Sequence, residues 1–131
     1  MIRDTIEQVI IIPAGTAATF QSQAKEMQSF WHVAIEVLPV AFTGTITFVS
    51  SDAETQPDFT AAASATNPYD TVQVKLLADN SSVNGATGLA IAGTSAPIRA
   101  EFNSNTGRWF GAKVSAYTSG SVGVKFKGYG T

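Results

Sequence analysis

Arg108-Trp109-Phe110-Gly111-Ala112-Lys113-Val114-Ser115-Ala116-Tyr117-Thr118-Ser119-Gly120-Ser121-Val122-Gly123-Val124-Lys125-Phe126-Lys127-Gly128 decides the fold class. Phe110, Ala112, Val114 and Ala116 recur at every second position, and so do Val122, Val124 and Phe126, with Lys125 and Lys127 between them. A period of two puts alternate side chains on opposite faces of an extended chain, so one face is apolar and the other polar. Thr118-Ser119-Gly120 interrupts the pattern with turn-forming residues. The stretch therefore reads as two half-buried antiparallel strands joined by a turn.

The same alternation recurs toward the N-terminus. In residues 30–38, Trp31, Val33, Ile35 and Val37 oppose His32, Ala34 and Glu36. Pro39 limits further pairing, and Gly44 marks a turn before residues 45–50, where Ile46 and Phe48 share a face. These two runs read as a hairpin. Residues 5–12 are rich in β-branched side chains and stop at Pro13-Ala14-Gly15, which makes them a first strand, with residues 17–20 as its extension. Residues 71–77, 88–92 and 97–102 supply three more strands, separated by Asp79-Asn80-Ser81-Ser82, Asn84-Gly85 and Asn103-Ser104-Asn105-Thr106-Gly107. Residues 21–28 are polar and read as a short helix. Residues 51–68 form the longest irregular segment, of a length that is often functional. About eight short strands in one domain, residues 1–131, predict an all-β antiparallel β-sandwich with a jelly-roll-like arrangement.

Composition narrows the function. Apolar residues make up 44% of the chain and charged residues only 14%, against a usual share of about a quarter. A surface of Ser, Thr, Ala, Asn and Gly has few charges to desolvate when protein meets protein. With a net charge of −2 and eight scattered Lys and Arg, the chain lacks the basic stripe that tracks a phosphate backbone. Direct nucleic-acid binding is not expected. There is no cysteine, hence no disulfide and no thiolate chemistry. The start, Met1-Ile2-Arg3-Asp4-Thr5-Ile6-Glu7, has no signal-peptide pattern, and no apolar run reaches membrane-spanning length. Met1 and the ending at Thr131 suit a complete gene product.

Catalytic apparatus is not legible. His32 is the single histidine, so a multi-histidine metal site cannot be built within one chain. Asp52, Glu54 and Asp58, with Glu36 and Glu101, could pair as glycosidase carboxylates, but they read more simply as turn formers and solubilising groups. Asp52, Glu54, Asp58 and Asp70 could also offer oxygens to calcium, although their spacing matches no dense calcium loop. No glycine-rich stretch makes a phosphate loop, and Asn80-Ser81-Ser82, a glycosylation sequon by pattern, reads as a turn. The expectation is a non-enzymatic chain with no cofactor, metal site or catalytic residue. Phe48, Phe102, Phe110, Phe126 and Trp31 fall at core-facing positions. Trp109 and Tyr117 take the opposite face, while Phe59 and Tyr69 lie in or beside the long loop. Such a row, if open, would anchor a protein or stack on sugar; otherwise the loop folds over Trp109.

Gly44-Thr45-Ile46-Thr47-Phe48 followed by Ser50-Ser51-Asp52, together with residues 108–124, resembles a group of small tailed-phage virion proteins. In that group a Gly-Thr-Val-Thr-Phe strand leads into a Ser/Asp-rich loop. The chain there closes on Arg-Trp-hydrophobic-X-Ala-X-Val-X-Ala-Tyr-Thr-Ser-Gly-X-Val-X-Val. The loop Ala53-Glu54-Thr55-Gln56-Pro57-Asp58-Phe59 departs from the group, which places Gly and Trp there, and no functional residue is carried over. The resemblance implies a β-sandwich on a phage capsid or tail, assembled in the bacterial cytoplasm. Its partner would be the major capsid or tail protein and, as a homo-oligomer, its own copies. Capsid decoration and a small head–tail component are both open, and a carbohydrate-binding host-attachment module is the alternative. The contact residues expected are Ile6, Val9, Ile10 and Ile11, from a segment apolar on both faces, with Tyr69, Trp109 and Tyr117.

Overall fold

A computed structural model describes residues 7–12, 25–26, 32–59, 61–102 and 108–129. The chain is all-β and every strand pairing is antiparallel. The strands are β1 (Glu7–Ile12), β2 (Lys25–Glu26), β3 (His32–Ser51), β4 (Asp70–Val72), β5 (Val74–Leu76), β6 (Ser82–Val83), β7 (Leu89–Thr94), β8 (Ile98–Phe102) and β9 (Trp109–Tyr129). They form one sheet with the path β1-β9-β3-β8-β5-β6, while β2 adds to β9 and both β4 and β7 add to β3.

Two departures from the sequence reading share one cause. The expected hairpin of residues 30–38 and 45–50 is a single strand, β3, and the expected C-terminal hairpin is a single strand, β9. Each is about twenty residues long, and they pair with each other from His32↔Tyr129 to Ser51↔Trp109. The residues read as turns are bends in that ladder. The register shifts between Val40 and Thr43, and again near Thr45, as β-bulges. Ala41 takes a left-handed φ of 49°, and Gly120, beside it in the ladder, takes 82°. A Cβ on Gly120 would collide with the Ala41 carbonyl, so glycine is needed there for contact as well as conformation. Proline and glycine punctuate a turn and a bulge alike, which is why periodicity alone could not separate the two. Among the described residues there are therefore nine strands, two of them long, rather than eight short ones.

The bulges keep one face inward through the bend. Val33, Ile35 and Val37 are buried before it and Phe42, Ile46 and Phe48 after it, an odd-to-even switch that one inserted residue produces. On β9 the buried set is Phe110, Ala112 and Val114, then Val122, Val124 and Phe126. The bend divides the sheet. In the first half, the beginning of β3 lies between β8 and the end of β9; in the second, the end of β3 lies between β7, β4 and the start of β9. Both halves contribute to one apolar cluster. Phe102 of β8 bridges them, with its ring centroid 4.4 Å from Phe110, 6.5 Å from Phe48 and 6.1 Å from Phe126.

The helix expected over residues 21–28 does not form at Lys25 and Glu26, which pair as strand β2 with Phe110 and Trp109. Polar composition suits an edge strand as well as a short helix. The rest of that segment, Trp31, and residues 17–20 lie outside the described residues. The turn signals at residues 79–85 hold: the Asp79 carboxylate accepts from the Ser81 hydroxyl (2.6 Å) and N–H (3.0 Å) in the β5–β6 connection, and those bonds lower its pKa.

Candidate interaction surfaces

The expected contact residues fall in three places. Val9, Ile10 and Ile11 lie in β1, whose backbone pairs with Lys125, Val124 and Gly123 of β9. β1 ends the sheet path, so among the described strands its second edge has no partner. Ile6 and the side chains of β1 lie outside the described part.

Trp109 and Tyr69 meet in a second, smaller cluster with Val49 and Phe59, on the face of the second half away from the main core. The segment 52–68 folds over it. Trp109 Nε1 donates to the Ala53 carbonyl at 2.8 Å, and the Tyr69 hydroxyl donates to the Ala61 carbonyl. Phe59 packs edge-on to Tyr69 with centroids 5.1 Å apart. Asn67 pins the loop by accepting from the Asp58 N–H and donating to the Asp58 carbonyl, each at 2.8 Å. The Arg108 guanidinium sits 5.4 Å from the Trp109 ring centroid and Lys113 Nζ 5.1 Å from that of Tyr69. The Arg108 cation thus lies against the Trp109 ring, while Lys113 sits at the hydroxyl end of Tyr69, to which its Nζ donates at 3.1 Å. A shallow open depression beside this loop is lined by Ser51, Asp52, Ser64, Pro68, Tyr69 and Asp70. Among the described residues, no three His, Cys, Asp or Glu side chains gather as a metal's ligands would.

Tyr117 stands apart, at the bend. Its hydroxyl donates to the Gly120 carbonyl at 2.9 Å and its ring tilts against Phe42 at 6.1 Å. The structure therefore joins Trp109 and Tyr69 but not Tyr117, and no continuous aromatic row exists among them.

A surface not singled out from sequence lies on the outer face of the second half. Residues 37–51, 80–98 and 114–124 contain no charged residue. The register brings parts of all three runs side by side: Ala90–Thr45–Ala116 form one cross-strand row and Ala92–Thr43–Ser119 the next. Val40, 63% exposed, projects at the bend. The uncharged runs are visible in the sequence; that they are neighbours follows only once β3 is known to be continuous.

No family profile matches the chain, and no curated protein sequence does. Among solved structures, the SPBc2 prophage-derived protein YomS is similar with a TM-score of 0.70 at 12% identity, over 99% of this chain and 96% of that one. At that identity the likeness shows a shared fold. A chain from Bacillus endospore appendages, which form disulfide-linked pili, covers 100% of this chain and 93% of its own at 12% identity, but its TM-score of 0.36 carries no argument.

Proposed function

We propose that the chain is a structural, non-enzymatic protein of a tailed-phage virion, either decorating the capsid or serving as a small head or tail component. The observation that carries this reading is the end-to-end match of its fold to a prophage-derived protein, with neither chain leaving a large part over. The uncharged outer face supports it. Placing such a face against another protein strips water from few charged groups, so small apolar contacts are not offset by desolvation. Repeated over a symmetric shell, a weak contact becomes durable through multivalency. The partner is the major capsid or tail protein. The N-terminal segment with Ile6, Val9, Ile10 and Ile11 is the contact element proposed first, because β1 places a strand edge at the border of the sheet.

The test is binding of the purified chain to expanded capsids, and separately to tails, prepared without it. Saturable binding at a stoichiometry set by particle symmetry supports the reading, and loss of that binding on deleting residues 1–12 supports the contact element. A chain that ignores both particles, yet binds polysaccharide in a glycan screen, overturns it.

A further inference from the structure

β7 (Leu89–Thr94) pairs along one edge with β3 and, among the described strands, with no other. Its side chains alternate: Ile91 is buried, while Ala90 and Ala92 are exposed. A bare strand edge presents unpaired N–H and C=O groups, and proteins usually guard it with lysine, proline or charge. β7 has none of these; it has a bulge at Gly93, which leaves Leu89–Ala92 as regular edge, and the run 80–98 around it is uncharged, with its one proline, Pro97, beyond the strand. The exposed Val40 lies at the adjoining bend, where the Ala41 N–H donates to Ser95 Oγ at 2.9 Å, one residue past the end of β7.

We infer that β7 pairs antiparallel with β7 of a second copy of this chain. A two-fold axis sets each surface group against its own image, so a patch of one sign repels itself, whereas an uncharged patch does not. A strand edge is also complementary to itself when antiparallel. A foreign partner would need a charge pattern or pocket to select it; the depression lined by Ser64 and Tyr69 belongs to the loop cluster, not to this edge. Residues directly opposite share a face, which limits the register to axes passing through a residue. Centring on Ile91 or on Ala92 overlaps five residues, and the Ile91 axis keeps the bulged Gly93, with its φ of 68°, at the end of the ladder instead of beside its centre: Ile91 faces Ile91, Ala90 faces Ala92, and Leu89 faces Gly93. The inference concerns the chain alone and holds whether or not it enters a virion.

The test is light scattering on the purified chain without particles. The wild type is expected at twice its 13.7 kDa mass. Ala90→Lys with Ala92→Lys, and Ala90→Glu with Ala92→Glu, should each give a monomer with the wild-type circular dichroism and one cooperative melting transition, at or below that of the wild-type dimer. Mixing the two variants should restore the dimer mass, which a folding defect could not do. Because the chain has no cysteine, register can be read by oxidation. Ala90→Cys mixed with Ala92→Cys should cross-link, whereas either alone should not, since identical residues of the two copies stand about 8 Å apart, beyond disulfide reach. A wild type that scatters as a monomer at every concentration tested, or a lysine variant that dimerises as well as the wild type, overturns the inference; single-variant cross-linking overturns the register.

Discussion

The two halves of the sheet use the same two long strands and one core, yet their outer faces differ. Across the first half, Lys125, Glu36 and Arg99 stand in one cross-strand row, and Lys127, Ala34, Glu101 and Lys75 in the next. Signs alternate along the first row, and Lys75 Nζ meets Glu101 Oε1 at 2.8 Å. Across the second half, the corresponding rows hold only Ala, Thr and Ser. The inner faces are alike, both built mainly of Val, Ile and Phe with Ala100 and Ala112 among them. Folding thus constrains the inner face in both halves, while on the outer one it fixes the loop-covered cluster at Val49 and leaves the rows nearer the bend free. The charged rows of the first half balance and remain well hydrated, while the Ala, Thr and Ser rows of the second have little to hold water.

The comparison can be broken at the core or sharpened at the surface. Phe102→Ala removes the ring that ties the halves together and should cost about 3–5 kcal/mol in chemical denaturation, the range for an aromatic deleted from a packed core. Gly120→Ala attacks the joint instead: a left-handed φ and a clash with the Ala41 carbonyl should cost about 3 kcal/mol. Two separate unfolding transitions in that variant would show that the halves are independent units, whereas one transition would confirm the shared core. Glu36→Lys sets three cations in a row and should destabilise by about 1 kcal/mol, an effect that shrinks as salt is added. Ala116→Lys, on the uncharged face, should change stability by no more than about 0.5 kcal/mol. If Ala116→Lys proves as costly as Glu36→Lys, the second outer face is held by the fold rather than left free.

Much of the inner face was legible in the sequence, because a period of two holds on each side of a bulge: Val33, Ile35, Val37, Ile46, Phe48, Phe110 and Phe126 all point where alternation sends them. Continuity was not legible. Pro39, Gly44 and Gly120 carry the chemistry of turns, and only pairing between residues distant in sequence shows that the chain runs straight on past them. The surfaces followed the same division. Trp109 and Tyr69 stood out as aromatics at non-core positions, but that the loop covers them rests on single bonds such as Trp109 Nε1 to the Ala53 carbonyl, which composition does not encode. That the surface is low in charge was legible from composition, but its concentration on one face was not, because it depends on the adjacency of β7, β3 and β9.

The continuity of β3 and β9 also bears on how the protein is made. β3 leaves the ribosome early and can gather β4, β7 and β8 along one edge as they emerge. Its other edge, from His32 to Ser51, pairs among the described strands with β9 alone, which follows it in the chain by more than fifty residues. Until residues 109–129 are out, a nascent strand of twenty residues waits with that side open, and the wait lasts seconds at ordinary rates of translation. That edge of β3 cannot be covered until β9 is available, so the two long strands close the core together. A chaperone that shields extended apolar segments would find its task here, on β3.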